Sequence, residues 1–195
     1  MLYKFYLIDE RRIKMSAKKE DPRAIRSKRI LKESLIALLI ESQDIQQLTV
    51  KKVTEKAELN RATFYLHYID MTDLLKQVVY DIFDDLSEQL VPSVTLEKMD
   101  VDEQLLVFLD YFYQHRKYLS VLFEQQGFQK KLHNFIIELV QKRRDLKKRA
   151  IKDVILSEDI IAASILGILM WWIRDGKHYS SEYIAEQLSV LMISR

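Results

Sequence analysis

The chain has 195 residues, 48% of them hydrophobic and 31% charged, so it can bury a sizeable core in one or two domains and is not a disordered chain. Three glycines and two prolines exclude phosphate-cradling loops of the G-x-G-x-x-G and G-x-x-x-x-G-K-[ST] types and argue against a sandwich or barrel, and the absence of cysteine excludes disulfides, thiolate zinc sites and cysteine nucleophiles, in keeping with a cytoplasmic protein. The net charge of +2 is unevenly spread: residues 1–70 hold 15 Lys/Arg and 10 Asp/Glu, the remaining 125 hold 16 and 19, so a basic front either meets a polyanion or is simply a solvated face.

Met1–Ile8 is apolar and aromatic, but Lys4 interrupts it, Asp9-Glu10 follow, and no small-residue cleavage site comes after, so it does not read as a secretory leader. Residues 1–20 are expected to be an extension or an N-terminal arm, since Met15 opens a polar leader of its own. Asp21-Pro22 opens a first helix with Leu31, Leu35, Leu38 and Leu39 on one face. Thr49 caps a short second helix with Val50, Val53 and Ala57 inward, and Asn60 caps a third, Arg61–Leu66. Asp70 or Thr72 starts a long fourth helix whose stripe includes Leu74, Val78, Ile82 and Leu86, and Pro92 with Ser93–Met99 reads as a connection.

From Asp102 the pattern resumes through Phe112, with a break near His115 before Tyr118–Phe123 and a stop at Gly127. Phe128, Leu132, Phe135 and Ile136 mark the next helix, which ends in the basic run Lys142–Arg149, a solvated helix end first and an anion site second. Ser157 caps a helix containing Ile160–Ile173, which is apolar nearly all round but short of the ~20 residues of a membrane span. Ser180 or Ser181 caps the last helix, with Ile184, Leu188 and Leu191 in register. The four histidines show no ligand spacing, so no metal and no cofactor are expected, and neither H-E-x-x-H nor G-x-S-x-G is present, so no catalytic residue is assigned and the chain is not read as an enzyme.

The informative stretch is Thr49–Leu75, TVKKVTEKAELNRATFYLHYIDMTDLL. It predicts two short helices joined by Glu58-Leu59-Asn60, then a long helix. The second short helix displays Arg61, Thr63, Tyr65 and His67, groups able to reach base edges and phosphates, and its apolar side is limited to Ala62, Phe64 and Leu66. Phe64 and Tyr68 read as core. Lys51, Lys52 and Lys56 read as phosphate contacts or as solvated lysines, with solvation favoured for Lys56.

This stretch resembles the DNA-binding domain of the TetR/AcrR family, whose pattern is a threonine cap, a helix ending in Ala-Gly-Val, a Ser-x-x-Thr-[FL]-Tyr-x-His-Phe segment and a Lys-x-x-Leu helix start. The chain carries Thr49-Val50, Ala57-Glu58-Leu59, Asn60-Arg61-Ala62-Thr63-Phe64-Tyr65-Leu66-His67-Tyr68 and Met71-Thr72-Asp73-Leu74. Looser likeness extends to DPRAIRSKRILKESLIALL before the motif and GILMWWIRDGKHYSSEYIAEQL after it. Two departures stand out: Glu58 replaces the turn glycine, and Met71 replaces a phosphate-contacting lysine.

The resemblance implies an all-α protein of about nine helices, with a helix-turn-helix domain over residues 21–69 and a dimerisation and effector domain over 70–195. It implies a dimeric transcriptional regulator, most often a repressor relieved by a small molecule, bound to a palindromic double-stranded operator and to no membrane. The expected DNA-contacting residues are Thr49, Lys51, Asn60, Arg61, Thr63, Tyr65 and His67. Phe108, Phe112 and Phe135 are candidate walls of an effector pocket, and the homodimer interface is expected at Trp171, Ile184, Leu188 and Leu191. The rival from another class is a helical adaptor that has lost DNA binding, for which Glu58 and Met71 speak.

Overall fold

The computed structural model describes residues 21–42, 44–95, 101–146 and 156–193. The expected N-terminal arm, residues 96–99 of the expected connection, Lys147–Arg149 of the basic run and the Leu191 side chain lie outside the described residues. Among the described residues eight α-helices follow in order: α1 Pro22–Ser42, α2 Val50–Lys56, α3 Arg61–Tyr65, α4 Met71–Thr95, α5 Val101–Phe123, α6 Gln126–Leu146, α7 Glu158–Arg174 and α8 Ser181–Ile193, with a 3-10 turn Ile45–Gln47 after α1. No strand occurs among the described residues.

Helix starts follow the local chemistry. Asp21 Oδ1 accepts from the Arg23 N–H at 2.9 Å, and Pro22 takes the first helical position, where a missing N–H costs nothing. Ser157 accepts from the Ile160 N–H at 3.2 Å to begin α7. Ser180, and not Ser181, caps α8, since its hydroxyl accepts from the Tyr183 N–H at 3.3 Å. Ser181 is buried and donates instead to an Asp110 carboxylate oxygen, which ties the start of α8 to α5.

Three helix boundaries differ from the sequence expectation. No break occurs near His115, because Tyr111, Phe112, Tyr118, Leu119 and Leu122 continue one buried stripe and no glycine or proline interrupts it, so two expected helices are one. Gly127 is not a stop but the second residue of α6, and the chain turns at Glu124-Gln125. There the Gln129 side-chain amide donates to the Phe123 carbonyl, one of the end groups α5 leaves unpaired. Pro92 lies inside α4, which runs on to Thr95, so its missing N–H falls in the last turn of the helix.

Helix α5 is the hub. It packs against α1, α4, α6, α7 and α8, while α7 packs on α6 and α4 on α6. Leu31, Leu35 and Leu39 of α1 are fully buried four residues apart, and Lys32 of the same helix bonds Asp81 of α4 at 2.6 Å. The small N-terminal helices are thus seated on the larger helical body through α1. Gly176, which follows α7, has a structural reason: an added Cβ would meet the Trp171 ring and the Trp172 Cα at 3.0–3.1 Å.

Candidate nucleic-acid interface

The candidate surface is carried by α2 and α3. The Thr49 hydroxyl accepts from the Lys52 N–H at 3.3 Å and starts α2. At the other end the Glu58 N–H donates to the Glu55 carbonyl at 3.2 Å and the Leu59 N–H to the Thr54 carbonyl at 3.0 Å. This nested pair closes a helix through a left-handed residue, and Glu58 is that residue, with φ of 55°. The family turn is therefore kept without its glycine, at a strain of about 1–2 kcal/mol.

The turn delivers Asn60 to the head of α3. Its Oδ1 accepts from the Thr63 N–H at 2.7 Å and from the Thr63 hydroxyl at 2.9 Å. Phe64 and Tyr68 are buried with rings 5.6 Å apart, and they pin the short helix to the core. Five residues of helix have too few hydrogen bonds to persist alone, so these two rings hold its position.

The expected DNA-contacting residues divide into two sets. Arg61 is exposed and makes no ion pair among the described residues, and Tyr65 is 60% exposed with its ring set edge-on against Phe64. His67 is half-buried, its ring edge-on to Tyr68. Thr49, Asn60 and the Thr63 hydroxyl are engaged in capping. Lys51 stands 3.8 Å from Glu55 in an exposed pair worth little, whereas Lys56 bonds Glu41 at 2.5 Å and ties α2 to α1.

Two residues of the apolar side face outward. Leu66, assigned to the apolar side of α3, is 78% exposed, and Ala62 is exposed as well. Each lies two residues from Phe64, a rotation of about 200° around the helix, so both sit opposite the buried ring. Helical spacing could have revealed this, since Phe64 and Tyr68 already claim the inner face.

The start of α4 is acidic. Asp70 Oδ1 accepts from the Asp73 N–H at 2.8 Å, and Asp73 Oδ2 accepts from the Ile69 N–H at 3.0 Å. Met71 is half-buried and packs against the core.

In the helical body, Phe108, Phe112 and Phe135 are buried, and ring contacts connect them through Phe123, Phe128 and Phe83 at centroid distances of 4.9–6.0 Å. The expected interface residues separate. Trp171 is 43% exposed, but Ile184 and Leu188 are buried in the chain's own core, so their surface is already covered without a second copy. The physical reason is that α8 turns its Ile184, Ala185 and Leu188 face inward, and α8 packs on α5. Among the described residues no group of three or more His, Asp or Glu side chains is arranged to hold a metal ion.

Residues 99–194 match a TetR-type model described as the C-terminal region of transcriptional regulators. That match to TetR-type regulators covers just under half of the chain. The Bacillus subtilis (strain 168) protein YxbF, an uncharacterised HTH-type transcriptional regulator, is 26% identical to this chain over 166 residues, 81% of the chain. The chain spans 42% of the length of that curated relative. Solved TetR-type folds align over most of the chain. A TetR transcriptional regulator from Streptococcus agalactiae is 22% identical with a TM-score of 0.67, over 89% of this chain and 96% of its own. The fatty acid degradation regulator FadR from Bacillus halodurans is 15% identical with a TM-score of 0.67, over 90% and 97%. The dihydroxyacetone kinase operon activator DhaS is 20% identical with a TM-score of 0.63, over 86% and 94%. These structures share the fold.

Proposed function

We propose that the chain acts as a dimeric, sequence-specific DNA-binding transcriptional regulator, a repressor whose hold on its operator a small-molecule effector relieves. The observation that carries this is α3: a five-residue helix capped by Asn60 and pinned by Phe64 and Tyr68, with Arg61 and Tyr65 projecting to solvent. A helix so short and so outward-facing contributes little to the core, and its shape suits insertion into the major groove with neighbouring residues on the phosphates. Residues 21–69 form the reading unit and 70–195 the assembly and effector unit, acting in the cytoplasm by binding and not by catalysis.

Dimerisation is supported by α7. Ile160, Ala163, Ser164, Gly167 and Trp171 are exposed at spacings of three and four, which leaves one face of a strongly apolar helix uncovered by its own chain. The small residues in its middle allow a second helix to approach closely, and a symmetric pair of such faces makes an interface. Trp171 stays in the proposed interface, whereas Ile184 and Leu188 support it from within. Effector control rests on the family. A ligand at Phe108, Phe112 and Phe135 has to open the aromatic row that fills this space, which couples its entry to movement of α4, α5 and α6.

The adaptor reading keeps one specific support: Asp70 and Asp73 place two carboxylates at the N-terminus of α4, where Met71 leaves no cation beside a phosphate. Enrichment of genomic fragments by the purified protein separates the two. Regulation predicts recovered fragments that share an inverted repeat. Recovery no different from bulk DNA contradicts it.

A further inference from the structure

We propose that α3 reads thymine methyl groups, through Leu66 with Ala62 beside it, so that the operator half-site carries thymine where the helix meets the base edges. This rests on the DNA-binding reading and specifies what that surface selects.

The centre of the outward face of α3 is apolar. Phe64 is fully buried, and the two residues opposite it are Ala62 and Leu66, both exposed, Leu66 at 78%. Polar side chains flank them at the edges of that face: Arg61 and Tyr65 on one side, Thr63 on the other. Arg61 makes no ion pair among the described residues, so a cation at the edge of the apolar centre is available to a polyanion.

Thr63 cannot supply the missing polarity cheaply, since its hydroxyl already donates to Asn60 at 2.9 Å. A leucine that faces base edges has no donor or acceptor to offer. Against guanine, cytosine or adenine it strips water from polar edges and gives nothing back. Only thymine presents an apolar group in the major groove, its C5 methyl. The selection therefore has an attractive and a repulsive part, and both favour thymine.

The test uses duplexes selected by the full chain from a random-sequence pool, then remade with single thymines replaced by deoxyuridine, which removes the methyl and leaves base pairing intact. Loss of one buried methyl contact predicts binding about four-fold weaker at the thymine that Leu66 meets. Leu66→Ala, which removes an exposed side chain and leaves the core alone, is expected to weaken binding to the thymine duplex and to shrink that uracil penalty towards none. Tight binding to selected duplexes with every uracil substitution neutral overturns this inference while the DNA-binding reading stands. An undiminished penalty in Leu66→Ala also overturns it and assigns the methyl to another side chain. No selection of any duplex overturns both.

Discussion

Asn60 Oδ1 accepts two hydrogen bonds from one residue, the Thr63 N–H at 2.7 Å and the Thr63 hydroxyl at 2.9 Å. The first residue of the proposed reading segment is therefore occupied in building α3. Asn60→Ala is expected to cost about 1 kcal/mol of stability, the usual loss of a helix cap. Asn60→Asp keeps the acceptor and should leave the thermal midpoint nearly unchanged while it weakens DNA binding, because it adds a negative charge at the polyanion surface. Thermal unfolding and duplex titration of both variants separate capping from contact.

Glu58 holds a left-handed conformation with φ of 55°, the position where glycine has no steric penalty. Glu58→Gly relieves about 1–2 kcal/mol of strain, offset in part by about 0.4–1 kcal/mol of added unfolded-state entropy. A net gain of up to about 1.6 kcal/mol is expected in denaturant unfolding. A destabilised variant would show that the Glu58 side chain makes a compensating contact.

Met71 stands where the family places a phosphate-contacting lysine, beside the carboxylates of Asp70 and Asp73. Met71→Lys is expected to tighten duplex binding and to steepen the salt dependence by about one unit per added phosphate contact, up to about two per dimer. An unchanged slope would place the start of α4 away from the DNA strand.

Two substitutions divide the interface from the core. Gly167 is exposed on α7 with open space where a Cβ would stand, so Gly167→Glu fits the monomer and gains helix propensity of up to about 1 kcal/mol. Its charge lands on the face offered to a second copy, and sedimentation should show a folded monomer. Leu188→Glu instead buries an unpaired charge inside the chain, where Leu188 is 3% exposed, and loses about 3–5 kcal/mol of folding stability. Its circular dichroism, not merely its sedimentation, should change.

His115 packs between Tyr111 and Tyr118, and burial lowers its pKa from the ordinary 6.5 while Asp85 pulls it the other way. The unfolded chain then takes up the imidazole proton at a higher pH than the folded chain does. This contribution to stability is complete above about 6.5 and declines as pH falls below it. Asp84 and Asp85 act in the opposite sense at lower pH, since burial, Asp81 and Glu88 raise their pKa values and protonation relieves the repulsion. His115→Gln should flatten the stability profile just below pH 6.5 and leave it unchanged near pH 8.

Much of this was legible in the chain alone because it is written in local chemistry. Caps at Thr49, Asn60 and Ser157, the leucine stripe of α1 and the buried pair Phe64 and Tyr68 are each set by neighbours within one or two turns. What the sequence hid depends on which helix lies opposite. Leu188 and Ile184 have the spacing of an interface and of a core alike, and only the packing of α8 on α5 decides between them. Leu66 shares the apolar character of Phe64 in the sequence, and only the helical rotation of about 200° between them sets it outward. The continuity of α5 past His115 was hidden by the polar run Gln114 to Lys117, one full turn of the helix in which half-buried His115 bridges Tyr111 and Tyr118.

The central claim, that α3 reads DNA sequence, is tested most directly by titrating one selected duplex and one scrambled duplex with the wild-type chain and with Arg61→Ala across a range of salt. The account predicts that wild type prefers the selected duplex by roughly 10³-fold or more, with affinity falling steeply as salt rises. It predicts that Arg61→Ala loses about 1–3 kcal/mol on the selected duplex and much less on the scrambled one. Equal affinity of the wild-type chain for both duplexes would contradict it.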